Sequence, residues 1–129
     1  MATLTEQLDA MRALAPNWDG YNAAAPEPAV IAWAKDFIAY FERVERASGV
    51  NRNLRVYPTR VGGVQIEWED PRCEWELELN PDGSLELLSE EKSSGAMHES
   101  KFPPGRMAVA PGFLPVLAEM MASFQEVAA

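Results

Sequence analysis

The chain changes its hydrophobic rhythm once, near residue 50. Before that point apolar residues recur at helical spacing. Leu4, Leu8, Met11 and Ala15 fall on one face with Leu14 beside them. Thr3-Leu4-Thr5-Glu6 forms a capping-box signature ahead of that face. Pro16 predicts the end of this helix near Ala15. A second helix is predicted to open at Pro28, where proline suits the first turn. Val30, Trp33, Ala34, Phe37, Phe41 and Val44 make its stripe, and Ile31, Ile38 and Tyr40 widen it. So broad an apolar face predicts a central helix. Gly49 lies just past a basic last turn and closes it.

After residue 50 the period becomes two. "LRVYPTR", "VQIEWED", "CEWELEL" and "SLELLSE" read as four strands of an antiparallel meander, joined by "VGG", "DP" and "NPDG". In "NPDG", Pro81 presets the first corner and Gly83 takes the left-handed position. Residues 91–111 are rich in Ser, Gly, Pro and charge and read as a long loop, mobile or functional, in which "RMAVA" could add a short edge strand. "FLPVLAEMMASFQEV" places Phe113, Leu117, Met120, Met121 and Phe124 on one face of a C-terminal helix. The predicted fold is α+β: two N-terminal helices, a four-stranded antiparallel meander, a flexible loop over 91–111 and a last helix, in one domain spanning 1–129.

Hairpin register sorts the side chains. A turn at "NPDG" sets Leu79 against Leu85, Leu77 against Leu87 and, on the other face, Glu78 against Glu86. A turn at Asp70-Pro71 sets Trp68 against Cys73, Ile66 against Trp75 and Glu67 against Glu74. In the first hairpin a three-residue "VGG" loop puts Val56 and Pro58 inward with Arg55 and Tyr57 outward. A two-residue loop inverts those four. Apolar residues thus gather on one side, and Glu67, Glu74, Glu76, Glu78 and Glu86 on the other, with Glu69 at the border. Opposed like charges disfavour pairing by up to ~1 kcal/mol each. Only Arg55 and Arg72 stand placed to compensate.

Composition supports this picture. The 129 residues are 47% hydrophobic, enough for a folded core. The net charge of −9 disfavours direct nucleic-acid binding and favours basic partners. One cysteine, Cys73, excludes an internal disulfide and a cysteine zinc cluster and suits a reducing compartment. The N-terminus lacks a basic region followed by an apolar block, and no apolar run reaches the ~20 residues of a membrane span, so a cytoplasmic protein is expected.

The stretch "PNWDGYNAAAPEP" reads as a structural loop. Asp19 can bond its own backbone two residues on, Gly20 can take positive φ, and Trp18 and Tyr21 are expected to bury their rings between the helices. An EF-hand reading fails, because counting from Asn17 the twelfth position is Pro28 rather than Glu. Together with "GGVQIEWE" and "ELELNPDGSLELL", the Asn17-Trp18-Asp19-Gly20-Tyr21 loop resembles a group of small, largely uncharacterised bacterial proteins. The resemblance spans about residues 14 to 88. It implies a bacterial α+β fold with architectural motifs and carries over no catalytic residue.

No catalytic set emerges. His98 is the single histidine, Cys73 is expected to point inward and be inert, and no phosphate-cradling glycine loop, G-x-S-x-G elbow or H-E-x-x-H motif occurs. No cofactor and no metal site is predicted. The acidic face has three competing readings: a solvated face screened within ~8 Å at physiological salt, a docking face for a basic partner, or a hard-metal cluster. The favoured function is a small inhibitor of the antitoxin, immunity or anti-CRISPR kind. It would dock on a basic surface of a nucleic-acid-handling protein through Glu67, Glu69, Glu74, Glu76, Glu78, Glu86 and Tyr57. The alternative is an enzyme or metal-dependent protein using that face with His98. Self-association as a homodimer, through Leu88, Tyr57 or the last helix, is a third reading.

Overall fold

The computed structural model describes residues 2–49 and 53–103. They form two helices and one antiparallel sheet in an α+β arrangement. Helix α1 spans Leu4–Met11 and carries the predicted box: Thr3 Oγ1 accepts from the Glu6 N–H at 3.1 Å, and the Thr3 N–H donates to Glu6 Oε1. It ends four residues before Ala15. The N–H groups of Arg12, Ala13 and Leu14 donate to the third residue back, tightening the last turn. Helix α2 spans Pro28–Ser48, with Pro28 in its first turn and Gly49 closing it at φ 74°. Lys35 on α2 pairs with Asp9 on α1.

The sheet has five strands in sequence order: β1 Arg55–Pro58, β2 Val64–Glu69, β3 Cys73–Leu79, β4 Leu85–Glu91 and β5 Met97–Phe102. The meander therefore holds five strands where four were predicted, and the fifth lies inside the expected 91–111 loop. Its sequence, MHESKF, has apolar residues only at its two ends, on opposite faces, and leaves no residue fully buried, so a hydrophobic pattern could not reveal it. A turn builds it instead. Gly95, at φ 75°, donates to the Glu91 carbonyl, and the Glu91 N–H donates to the Ala96 carbonyl. The expected "RMAVA" strand and C-terminal helix lie outside the described residues.

Registers follow from the turns. The third hairpin pairs Leu79 with Leu85, Leu77 with Leu87 and Glu78 with Glu86, as predicted. The second is offset by two: Trp68 faces Trp75, Ile66 faces Leu77 and Glu67 faces Glu76, while Glu69 faces Glu74. Asp70 causes the offset. Its Oδ1 accepts from the N–H groups of Arg72 and Cys73, and its own N–H donates to the Cys73 carbonyl, so Pro71-Arg72 forms the corner. A slip of two keeps every side chain on its face. The first hairpin turns on Arg60-Val61-Gly62 rather than on "VGG", with Gly62 at φ +85°. That three-residue loop buries Val56 and exposes Tyr57.

Helices and sheet share one core. Leu8 and Met11 of α1, Ile31, Phe37, Ile38 and Phe41 of α2, and Ile66, Trp68, Trp75, Leu77, Leu79, Leu85 and Leu87 of the sheet are all buried. Trp68 and Trp75 stack nearly parallel, with centroids 6.0 Å apart, and Phe41 meets Trp68 at 4.8 Å. The helices cover the inner sheet face and set its outer face apart as a separate surface. Among the described residues no helix is long and apolar enough to cross a membrane.

Candidate docking face

Alternation along five paired strands arranges the outer face in cross-strand rows. One row reads Tyr57, Gln65, Glu78, Glu86, Lys101; the next reads Arg55, Glu67, Glu76, Leu88, Glu99; the third reads Glu69, Glu74, Glu90, Met97. All six predicted carboxylates lie on this face, and Tyr57 joins them at 44% exposure. Glu69, placed at the border from sequence, is a full member of its row. Glu90, Glu99 and Lys101 extend the face beyond the residues the sequence singled out. Strand parity at Leu88 would have exposed Glu90, whereas Glu99 and Lys101 depend on β5.

Countercharge is sparse. Arg55 Nη2 stands 3.9 Å from Glu67 Oε1, Lys92 reaches Glu69 at 3.2 Å, and Lys101 lies between Glu99 at 3.3 Å and Glu86 at 3.9 Å. Gln65 separates two acids by donating from Nε2 to both Glu67 and Glu76, each at 2.9 Å. Partial burial, with the Glu67 charge added, holds the Glu76 carboxyl above its ordinary range. Glu78 is raised in the same direction by burial, then by Glu86 and Glu76, and by a hydrogen bond to Glu86. A shallow depression of about 200 Å³ sits among Arg55, Glu67, Glu76 and Glu90 over Leu88.

The fifth strand continues the sheet beside β4. His98 faces Ser89, which is buried on the inner side, and its Nε2 lies 3.6 Å from Glu91 Oε2. The structure therefore places His98 on the side of the sheet opposite the acidic face. Cys73 is buried, and desolvation, aided by Asp70 and Glu91, pushes its thiol up and away from thiolate reactivity. Among the described residues no group of three metal-ligating side chains converges. Parallel side chains on a sheet explain why adjacent carboxylates do not close on one point.

The Asn17–Tyr21 loop is architectural in its bonding. Asp19 Oδ1 accepts from the N–H groups of Tyr21 and Ala23, and Trp18 Nε1 donates to the Ala24 carbonyl at 2.8 Å. Asn17, at φ 66°, accepts from the Asn22 N–H through its side chain. Arg60 crosses from the β1–β2 turn to bind Asp19 Oδ2 at 2.9 Å and the Tyr21 carbonyl. Trp18 is half-buried. Tyr21, expected inside, is 76% exposed, because the Asp19 turn engages its backbone and directs the ring outward. Burial raises the Asp19 carboxyl, but the N–H groups of Tyr21 and Ala23 and the Arg60 charge outweigh it and hold the group below its usual range.

Comparison of the chain with protein-family models, with curated proteins and with solved structures gave no match.

Proposed function

We propose that this chain is a small acidic inhibitor of the antitoxin, immunity or anti-CRISPR kind. It works by laying the outer sheet face on a basic surface of a protein partner in the bacterial cytoplasm. One observation carries the reading: glutamates stand opposite glutamates in adjacent strands, at Glu67–Glu76, Glu69–Glu74, Glu74–Glu90 and Glu78–Glu86. Each opposition works against strand pairing. A local conflict with stability is the mark of a surface kept for another purpose. A partner that normally grips phosphates owns the complementary surface, and matched charge would speed encounter and fix register. Tyr57, at the end of one row, supplies an aromatic anchor of the kind that dominates interfaces.

The test is capture from bacterial extract with wild type and with a variant carrying Gln at 67, 74, 76, 78 and 86. Wild type is expected to retain a protein that duplex DNA displaces and that the Gln variant does not hold. Equal capture by both proteins overturns the reading.

A further inference from the structure

We infer that the partner's contact runs on from the acidic face to an apolar tip carrying Tyr21 and Val61, and that this tip sets how long the complex lasts. The inference rests on the docking reading above and adds the kind of partner: a protein whose basic surface is bordered by an apolar pocket that takes an aromatic ring. Tyr21 is 76% exposed and Val61 64% exposed. They sit on one braced unit. The loop ahead of α2 is joined to the β1–β2 turn by backbone bonds, from the Ala24 N–H to the Arg60 carbonyl at 2.8 Å and from the Glu27 N–H to the Gly62 carbonyl at 3.0 Å, and Ala24 bridges Val61 in parallel. Loop and turn lie so close that a Cβ added at Gly62 would stand 3.0 Å from the Ala25 carbonyl oxygen.

Tyr21 is held at both ends of its backbone: its N–H donates to Asp19 Oδ1, and its carbonyl accepts from Arg60. A ring presented from a fixed base loses little freedom when a pocket closes on it. Single exposed apolar residues are ordinary. Two on one rigid tip, with a third beside it, make a surface. Tyr57 is that third. It stands one pair before the end of β1, at the end of an acidic row, and joins the tip to the face. The chemistry changes along this path. Asp19, the carboxylate within the tip, is already met by Arg60 at 2.9 Å. The face thus presents charge, which acts at a distance, and the tip presents rings and a branched side chain, which act on contact.

Two rate constants separate the parts. The probe is the protein that wild type retains from extract and duplex DNA displaces, purified and passed over the immobilised full chain at low and high salt. Tyr21→Ala and Val61→Ser are each expected to leave association within about twofold of wild type and to speed dissociation about tenfold. Tyr21→Phe keeps the ring and is expected to dissociate as wild type does. The variant carrying Gln at 67, 74, 76, 78 and 86 is expected to associate at least about tenfold more slowly. Thermal melts establish that each variant is folded. Unchanged dissociation for both Tyr21→Ala and Val61→Ser overturns the tip and leaves the acidic face standing. A Gln variant that associates as wild type does overturns the docking reading, and with it the single surface inferred here. If wild type retains no protein that DNA displaces, both fall.

Discussion

Glu78 and Glu86 face each other across β3 and β4, and burial together with the Glu86 charge raises the Glu78 carboxyl. The pair concentrates the electrostatic conflict of the outer face. The Glu78 carboxyl titrates above its reference of 4.5 in the folded protein. A group raised by folding adds stability that is fully present below its unfolded pKa and is lost as pH rises through the folded one. Glu78→Gln keeps a hydrogen-bond donor without the charge. We expect it to stabilise the protein by about 0.5 kcal/mol at pH 7 and low salt. Thermal melts at pH 7 and pH 4 check this: the gain should shrink at pH 4, and an equal gain at both values contradicts it.

Arg60 and Asp19 join a turn and a loop 41 positions apart. Asp19 is lowered on folding, so its contribution is present above its unfolded pKa, near 3.8, and is lost as pH falls through the folded value. Asp19→Ala removes the acceptor for Tyr21 and Ala23 together with the Arg60 contact. Hydrogen exchange should quicken at Tyr21 and Ala23 while the β3 amides stay protected. Uniform loss of protection across the sheet would contradict a local latch.

Gly63 has no room for a side chain. A Cβ there would meet the Leu79 carbonyl oxygen at 2.3 Å. Gly63→Ala must push β2 from β3 beside that carbonyl, at a cost of about 1–3 kcal/mol. Urea unfolding checks it, and an unchanged midpoint would show that the strands give way freely.

Asp70 holds the second turn through both oxygens: Oδ1 takes the N–H groups of Arg72 and Cys73, and Oδ2 takes Trp75 Nε1 at 2.9 Å. Asp70→Ala should cost about 1–2 kcal/mol. Asp70→Asn, which keeps an acceptor at one position, should cost less. Chemical denaturation of both variants tests the order, and an Asn variant weaker than the Ala variant reverses it.

Residues with strong alternation were legible without coordinates. Leu77, Leu79, Leu85 and Leu87 set the third hairpin, and the same parity sent Glu78 and Glu86 outward. Asp70-Pro71 marked a turn, but its register depended on which N–H groups the Asp70 carboxylate accepts, and composition does not encode that choice. Strand β5 was hidden because His98, Ser100 and Lys101 carry no apolar signal; pairing with β4 makes it a strand. Tyr21 was misplaced for a related reason. An aromatic ring predicts burial on average, and here the bonding of its own backbone overrides that average. The acidic face was largely visible, while Lys92 and Lys101, its added countercharges, came only with the last turn and strand.

The most direct test of the docking face is carbodiimide labelling of carboxylates, free and in complex with a captured partner. Glu74, Glu76, Glu78 and Glu86 are expected to lose labelling in the complex while Glu6 and Glu42, on the helices, keep theirs. Protection at Glu6 and Glu42 with the sheet carboxylates still labelled would contradict it.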